Sequence, residues 1–412
     1  MDILHSICAG LDVHRDTVVA CVRRVRGREV VHETETFATT TAGLMALSSW
    51  LQGFGVPVAV MEATGVYWRP VWHVLEEDFE LVLANAQHVR NVPGRKTDVS
   101  DARWLSDLLA HGLIRSSFVP PEPIVELRML TRTRKQLVRE RVGHVQRIDK
   151  VLQDANIKLG SVVSDILGQS GRSAIQSLIE GVVDPQKIAA GMSQRLKATR
   201  SEIDAALRGK VRPRHRFLLK LHLGQIDALD EAIASVDTEV EQCLVPFARA
   251  RDHLAGIPGV GVRAAAMLVA EIGTDMSRFP TAGHLISWAG LCPRNDESAG
   301  KRRSTRLRDG DCWLKTGLVQ CAWAATRSKG TYLQAQFQRL RARRGAKKAI
   351  MAVAASMLGA AWHMLKHDEP YRELGAKHFS KPPEKEAKSL IRKLQQIGYA
   401  IHFEPDHLLV SS

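Results

Sequence analysis

The sequence predicts an α/β domain followed by helical regions, the class α/β plus α. Three observations predict it. Short β-branched runs alternate with amphipathic segments up to Ala84. Residues 124–155 keep helical spacing amid many charges, and the region from about 250 opens with two apolar helical stretches joined by a Pro-Gly turn.

Residues 6–13 (SICAGLDV), 17–24 (TVVACVRR) and 28–37 (REVVHETETF) are β-branched, roughly alternating and separated by polar turns, which predicts three strands paired as a meander. Thr41 to Phe54 reads as an amphipathic helix ending at Gly55, Val58 to Met61 as a strand opened by Pro57, Trp68 to Glu77 as a helix and Phe79 to Ala84 as a strand. In KTDVSDARWLSDLLAHGL, Asp98 and Asp101 stand three apart, on one face at the start of a further helix. Three antiparallel strands, then helix, strand, helix and strand, with acids at strand ends and on a later helix, is the pattern of an RNase H or RuvC-like nuclease domain. It is assigned to residues 1–120.

Pro120, Pro121 and Pro123 form a stiff break. Beyond it, residues 121–248 read as a long helical middle in which 124–155 and a second amphipathic helix (HRFLLKLHLGQIDALDEAIASVDTEVEQCL) form an antiparallel hairpin, a coiled-coil dimer contact or a simple spacer. Residues 249–412 form a third, mainly helical region. Its opening, LAGIPGVGVRAAAMLVAEIG, has the look of a helix-hairpin-helix, whose Gly259 and Gly261 would let backbone N–H groups approach a phosphate; an ordinary turn between helices is the plainer reading. The apolar run Ala349 to Leu365 is shorter than the roughly 20 residues a membrane span needs and reads as a buried helix.

Composition narrows the function. At 45% hydrophobic and 25% charged, the 412-residue chain is globular in character. Its net charge of +14 favours polyanions, nucleic acid first. The six cysteines show neither CxxC pairs nor Cys/His zinc spacing, which argues against a zinc site or disulfide scaffold and fits a reducing cytoplasm. The opening MDILHSICAGLDVHRD lacks the features of a signal peptide, so export is not expected.

Asp12 ends the first strand and Glu62 the fourth, so an α/β sheet would bring both to the same end of neighbouring strands. With Asp98 and Asp101 they form a carboxylate cluster, which repels unless neutralised, and Mg²⁺ or Mn²⁺ is the oxygen-preferring ion that would bridge it to a substrate phosphate. Each acid alone has a plainer reading, as a strand-end surface charge or a helix-start acid with Thr97 as cap. Asp16 and Asp107 rank lower. A second candidate is Ser298 in WAGLCPRNDESAGKRRSTRLRDG, a polar turn followed by Lys301, Arg302, Arg303, Arg306 and Arg308. From Arg294 to Lys348, 15 Lys or Arg oppose four acids, giving +11 of the chain's +14. Such a segment binds phosphate without reading sequence. By residue type alone, Ser304 and Thr305 compete equally with Ser298 as a nucleophile.

Taken in order, GLDVHRD, MEATGVYW, KTDVSDA, IPGVG and WAGLCPRNDESAGKRR resemble the transposases of the insertion sequence 110 family. The resemblance covers both ends of the chain and rests on no motif between about 155 and 250. It implies a RuvC-like domain with the Asp12, Glu62, Asp98 and Asp101 set, and a carboxy-terminal transposase domain whose Ser298 attacks DNA to form a covalent phosphoserine. It further implies a composite active site in a homo-oligomer, a dimer or tetramer, and a structured guide (bridge) RNA that pairs with donor and target DNA. The setting implied is prokaryotic, at the nucleoid. Asp309 and Asp311 depart from the uniformly basic stretch expected there. Two other readings stand beside this one: a nuclease or junction resolvase with metal-activated water, which needs the acids but not the serine, and a non-catalytic DNA-binding regulator, which needs neither.

Overall fold

A computed structural model describes residues 3–27, 29–63, 65–85, 89, 101–114, 116–293, 296–298, 301–304, 310–379 and 383–400, and only the backbone of 296–298, 301–304, 383–386 and 389. The chain divides into two compact units, Met1–Pro120 and Pro121–Ser412.

The first unit holds a five-stranded mixed sheet. Strands β1 (Ile7–Val13), β2 (Thr17–Arg26) and β3 (Glu29–Ala38) form the antiparallel meander, followed by α1 (Thr41–Gly53), β4 (Val58–Glu62), α2 (Trp68–Leu75), β5 (Glu80–Ala84) and α3 (Asp101–Ala110). The sheet order is β3-β2-β1-β4-β5, with β4 parallel to both β1 and β5. Alternation along the strands supplies two apolar faces. Ala9, Leu11 and Val13 join Ala59 and Met61 under α1 and α2, while Cys8 joins Val58, Val60 and Ala84 under Leu105, Leu108 and Leu109 of α3. Arg23, 2% exposed, donates to Asp107 Oδ1 at 3.0 Å, and His32 Nε2 lies 3.1 Å from the same oxygen, so Asp107 ties α3 to β2 and β3. The Cys8 thiol, pushed up to about 11 by burial, donates to Ser106 O at 3.4 Å.

Among the described residues the second unit is helical but for one small β6–β7 pair, Asp296–Ser298 with Lys301–Ser304. Its frame is α4 (Glu122–Asp154), then four shorter helices α5 (Leu159–Val162), α6 (Gln169–Glu180), α7 (Pro185–Ala190) and α8 (Arg200–Leu207), and the long return helix α9 (Pro213–Cys243). The order of cross-contacts, Arg134 with Asp237, Arg141 with Asp230, and His215 Nε2 with Asp154 at 2.7 Å, shows α4 and α9 to be an antiparallel hairpin within one chain. Each long helix serves two cores. Ile148, Leu152, Leu219 and Ile226 pack with the short helices, whereas Ile124, Leu127, Val240 and Leu244 join the core of the carboxy-terminal region. That second core is completed by α10 (Ala248–Ala255), α11 (Val262–Ile272), α12 (Ala282–Trp288), α13 (Cys312–Ala325), α14 (Tyr332–Arg344) and α15 (Ala346–His367), and α16 (Pro383–Gln396) closes the described chain. By length and composition α15 is apolar enough to cross a membrane, yet Val353, Ala354, Met357, Leu358 and Ala361 all lie buried in this core.

Candidate functional site

The acids are positioned by main-chain pairing. In the parallel β1–β4 ladder Leu11 pairs with Met61, and Asp12 and Glu62 each follow that pair by one residue. Strand period then turns both onto the face that carries Cys8, Val58 and Val60, which is the face covered by α3. Gly10 sets how close α3 comes. A Cβ there would stand inside contact distance of Ala102 O and 2.6 Å from Ser106 N, so only glycine admits the first turn of α3 against β1. Asp101 opens that helix, where a carboxylate also suits the positive end of the dipole. The sheet thus gathers Asp12, Glu62 and the start of α3 at one end of one face; Asp98, with Thr97, lies outside the described residues. Asp12 Oδ2 is 3.3 Å from His14 Nε2, a neighbour that sequence reading did not single out. Asp16 is 83% exposed at the turn into β2.

All three described acids offer carboxylate oxygen, the donor type that Mg²⁺ and Mn²⁺ take, so the set fits such an ion in chemistry. Among the described residues no three His, Cys, Asp or Glu side chains converge closely enough to hold one.

Around Ser298 the structure corrects the expected turn. Asp296–Ser298 (β6) and Lys301–Ser304 (β7) form an antiparallel pair in which Ser298 faces Lys301, and Glu297 faces Arg302. The polar, charged residues conceal any strand alternation, while the two-residue separation 299–300 permits hairpin register. Lys301, Arg302 and Arg303 therefore lie on β7 with the neighbouring Ser304; Thr305, Arg306, Arg308 and Asp309 lie outside the described residues.

The hairpin's stem is held by residues that sequence reading passed over. Gly310 packs so tightly on Ala289 and Gly290 that a Cβ would stand 2.5 Å from Ala289 C, bringing the returning chain back to where the excursion leaves α12. Asp311 accepts from Trp313 N at 2.7 Å and Leu314 N at 3.1 Å, capping α13. Its other oxygen accepts from Arg132 Nη2 at 2.9 Å. Arg132 also grips Glu271 with two bonds of 2.9 and 2.7 Å, and Arg128 donates to the Ala270 and Glu271 carbonyls that end α11. Glu271 is 1% exposed; burial pushes its carboxyl pKa up, opposed by the bonds from Arg132. Asp311, an oddity in a basic stretch, is thus a structural carboxylate. The available signal was a lone Glu in the apolar run AAAMLVAEIG, and Arg128 and Arg132 one turn apart.

In the turn between α10 and α11, Gly259 (φ +85°) packs against Cys321 O and Ala325 N of α13, which accounts for its missing side chain. Gly261, the N-cap of α11, is open: a methyl group there would meet nothing within 4 Å.

Two family models match the chain. Residues 9–157 match a model described as a transposase, of the DEDD type of IS110, and residues 251–338 match one described as transposase of the IS116/IS110/IS902 family. The chain belongs to the IS110 family of transposases. The first match carries all four acids and runs through α4; the second carries Gly259, Gly261, Glu271, Asp311 and the Ser298 hairpin. Among relatives, an uncharacterised protein of insertion element IS116 from Streptomyces clavuligerus is 29% identical over 249 residues, covering 52% of this chain and 60% of that protein. An IS110 protein from Streptomyces coelicolor is 29% identical over 263 residues, 56% and 61% respectively. The transposase for insertion sequence element IS1111A of Coxiella burnetii is 25% identical over 333 residues, 77% of this chain and 80% of that protein. The chain thus spans about 60% of the two Streptomyces proteins.

Proposed function

We propose that the protein is the transposase of an insertion sequence, which cuts and rejoins DNA through a covalent phosphoserine at Ser298. The observation that supports it most is the β1–β4 register, which sets Asp12 beside Glu62 on the α3 face in a chain of this family. We read the first unit as RuvC-like on its strand order and acids, and the α10–α11 turn as a helix-hairpin-helix with Gly261 open to a phosphate. A Mg²⁺ or Mn²⁺ ion held by Asp12, Glu62, Asp98 and Asp101 would polarise the phosphate and offset charge on the attacking and leaving oxygens. Ser298 Oγ bonds to phosphorus as its proton passes to solvent, and the deoxyribose oxygen leaves and takes up a proton. A hydroxyl from a second strand reverses the exchange, freeing the serine. One phosphodiester is consumed and one made, so no external energy is required.

Lys301, Arg302, Arg303, Arg306 and Arg308 would bind backbone phosphates around the serine. Because such contacts carry no sequence information, site choice belongs to a structured guide RNA pairing with donor and target DNA, with the protein acting as a homo-oligomer in a prokaryotic cytoplasm. A recombination assay with a plasmid bearing the element's ends and flanking non-coding DNA tests this. Ser298→Ala and Asp12→Ala should each abolish joined product. Full recombination by Ser298→Ala overturns the serine mechanism and leaves a metal-activated water; full activity of Asp12→Ala removes the acids from the chemistry.

A further inference from the structure

The second unit contains a groove of about 680 Å³ between α4, α9, α11 and α13. Lys135 and Arg139, one turn apart on α4, line it with Arg134 and with Arg263 from the first turn of α11, against the two carboxylates of Asp237 and Glu241. Asp237 is already engaged by Arg134, and by Arg263 at 3.4 Å. Lys135 and Arg139 both rest on the Trp313 ring, 5.2 and 5.3 Å from its centroid. Among the described residues neither makes an ion pair of the kind that Arg132 and Arg134 make. Burial, and then the neighbouring Arg139, hold the Lys135 pKa below the usual lysine range, opposed by Glu271 and Asp311, so Lys135 is a cation set beside the exposed Arg139.

Two adjacent cations on one wall attract an anion, and the rest of the groove suits one. Val262, Arg263 and Ala264 bring the first turn of α11 to its wall, and no side chain caps that helix. Another wall is α13, the helix into which the Ser298 hairpin returns, contributing Thr316 and Gln320. A solvated cationic face accounts for exposed arginines on a convex helix, as at Arg341, Arg343 and Arg344 of α14. It does not account for a concave site with paired cations and open amides.

We propose that this groove seats a backbone phosphate of duplex DNA, with Lys135, Arg139 and Arg263 as counter-charges. The proposal deepens the reading of the protein as a DNA recombinase and rests on it for the choice of DNA. The test titrates salt against binding of a fluorescein-labelled DNA duplex of arbitrary sequence to the full chain. The Lys135→Gln/Arg139→Gln double variant should flatten the plot of log affinity against log salt by about 0.9, the slope carried by one phosphate. Gln320→Glu, at an exposed position, plants a carboxylate in the groove without removing a contact and should weaken binding roughly fivefold at low salt with unchanged thermal unfolding. Ser298→Ala should keep the wild-type slope. An unchanged slope in the double variant, or unaltered binding by Gln320→Glu, overturns the proposal, as does an effect seen with an RNA duplex of the same sequence but not with DNA. Recombination by Ser298→Ala would sink the serine chemistry while leaving the salt slope to decide the groove.

Discussion

The acids and the serine are held in opposite ways. Asp12 and Glu62 sit on neighbouring strands of a five-stranded sheet, fixed by ladder register and by a glycine that seats α3. Ser298 sits on an excursion whose own ladder is only three pairs long, and whose stem depends on Gly310 against Ala289 and Gly290 and on Arg132 joining Asp311 to Glu271. A residue on a buried sheet inherits its position from the fold. A residue on a polar hairpin needs a separate clamp, assembled from side chains 139 and 179 positions apart in the chain.

That difference yields variants that break one side and spare the other. The largest effect belongs to the nucleophile: Ser298→Ala should lower recombination on the order of 10⁴-fold while thermal unfolding is unchanged. A wild-type rate would place the chemistry elsewhere. Arg132→Met attacks the clamp. It leaves the buried Glu271 carboxylate with Arg128 alone, 3.5 Å away, so chemical denaturation should show about 1–3 kcal/mol lost from the second unit. A loss below about 1 kcal/mol would mean that the network holds nothing. Gly10→Ala is the sheet-side counterpart, forcing a methyl into the α3 backbone at about 1–3 kcal/mol, read in the unfolding of the first unit. If α3 tolerates it without loss, the close approach is not what positions Asp101.

The smallest effect is a pH dependence within the α4–α9 hairpin. His144 Nδ1 lies 3.2 Å from His222 Nδ1 across the α4–α9 hairpin, and burial, then His144 and Arg147, depress the His222 pKa. The unfolded chain therefore takes up a proton near pH 6.5 that the folded hairpin resists, so this contribution to stability is lost as pH falls below about 6.5 and is constant above it. Melting temperatures at about pH 7.5 and about pH 5.5 should differ less in His222→Gln than in wild type. An equal difference would exclude the pair as its source.

How far the sequence was legible follows the same division. The strands of the first unit were readable because the alternation that makes Leu11 and Val13 core also turns Asp12 to the other face. The role of Gly10 was not, although a glycine inside a strand is a sign of close backbone approach. In the second unit the long amphipathic helices were evident, and their pairing as an antiparallel hairpin showed only in pairs such as Arg141 with Asp230. The serine strand was hidden because Asp296, Glu297 and Ser298 are all polar and give no apolar alternation to read. Asp311 was misjudged because its partner Arg132 belongs to a helix 179 positions earlier.

The most direct test of the serine assignment is chemical. The full chain, incubated with Mg²⁺, guide RNA and end-labelled donor and target DNA, is resolved under denaturing conditions, and any retained protein–DNA adduct is digested and mapped by mass spectrometry. The account predicts a phosphodiester on Ser298 that disappears in Ser298→Ala and fails to accumulate in Asp12→Ala. An adduct on Ser304 or Thr305, or undiminished recombination in the absence of any adduct on Ser298, would contradict it.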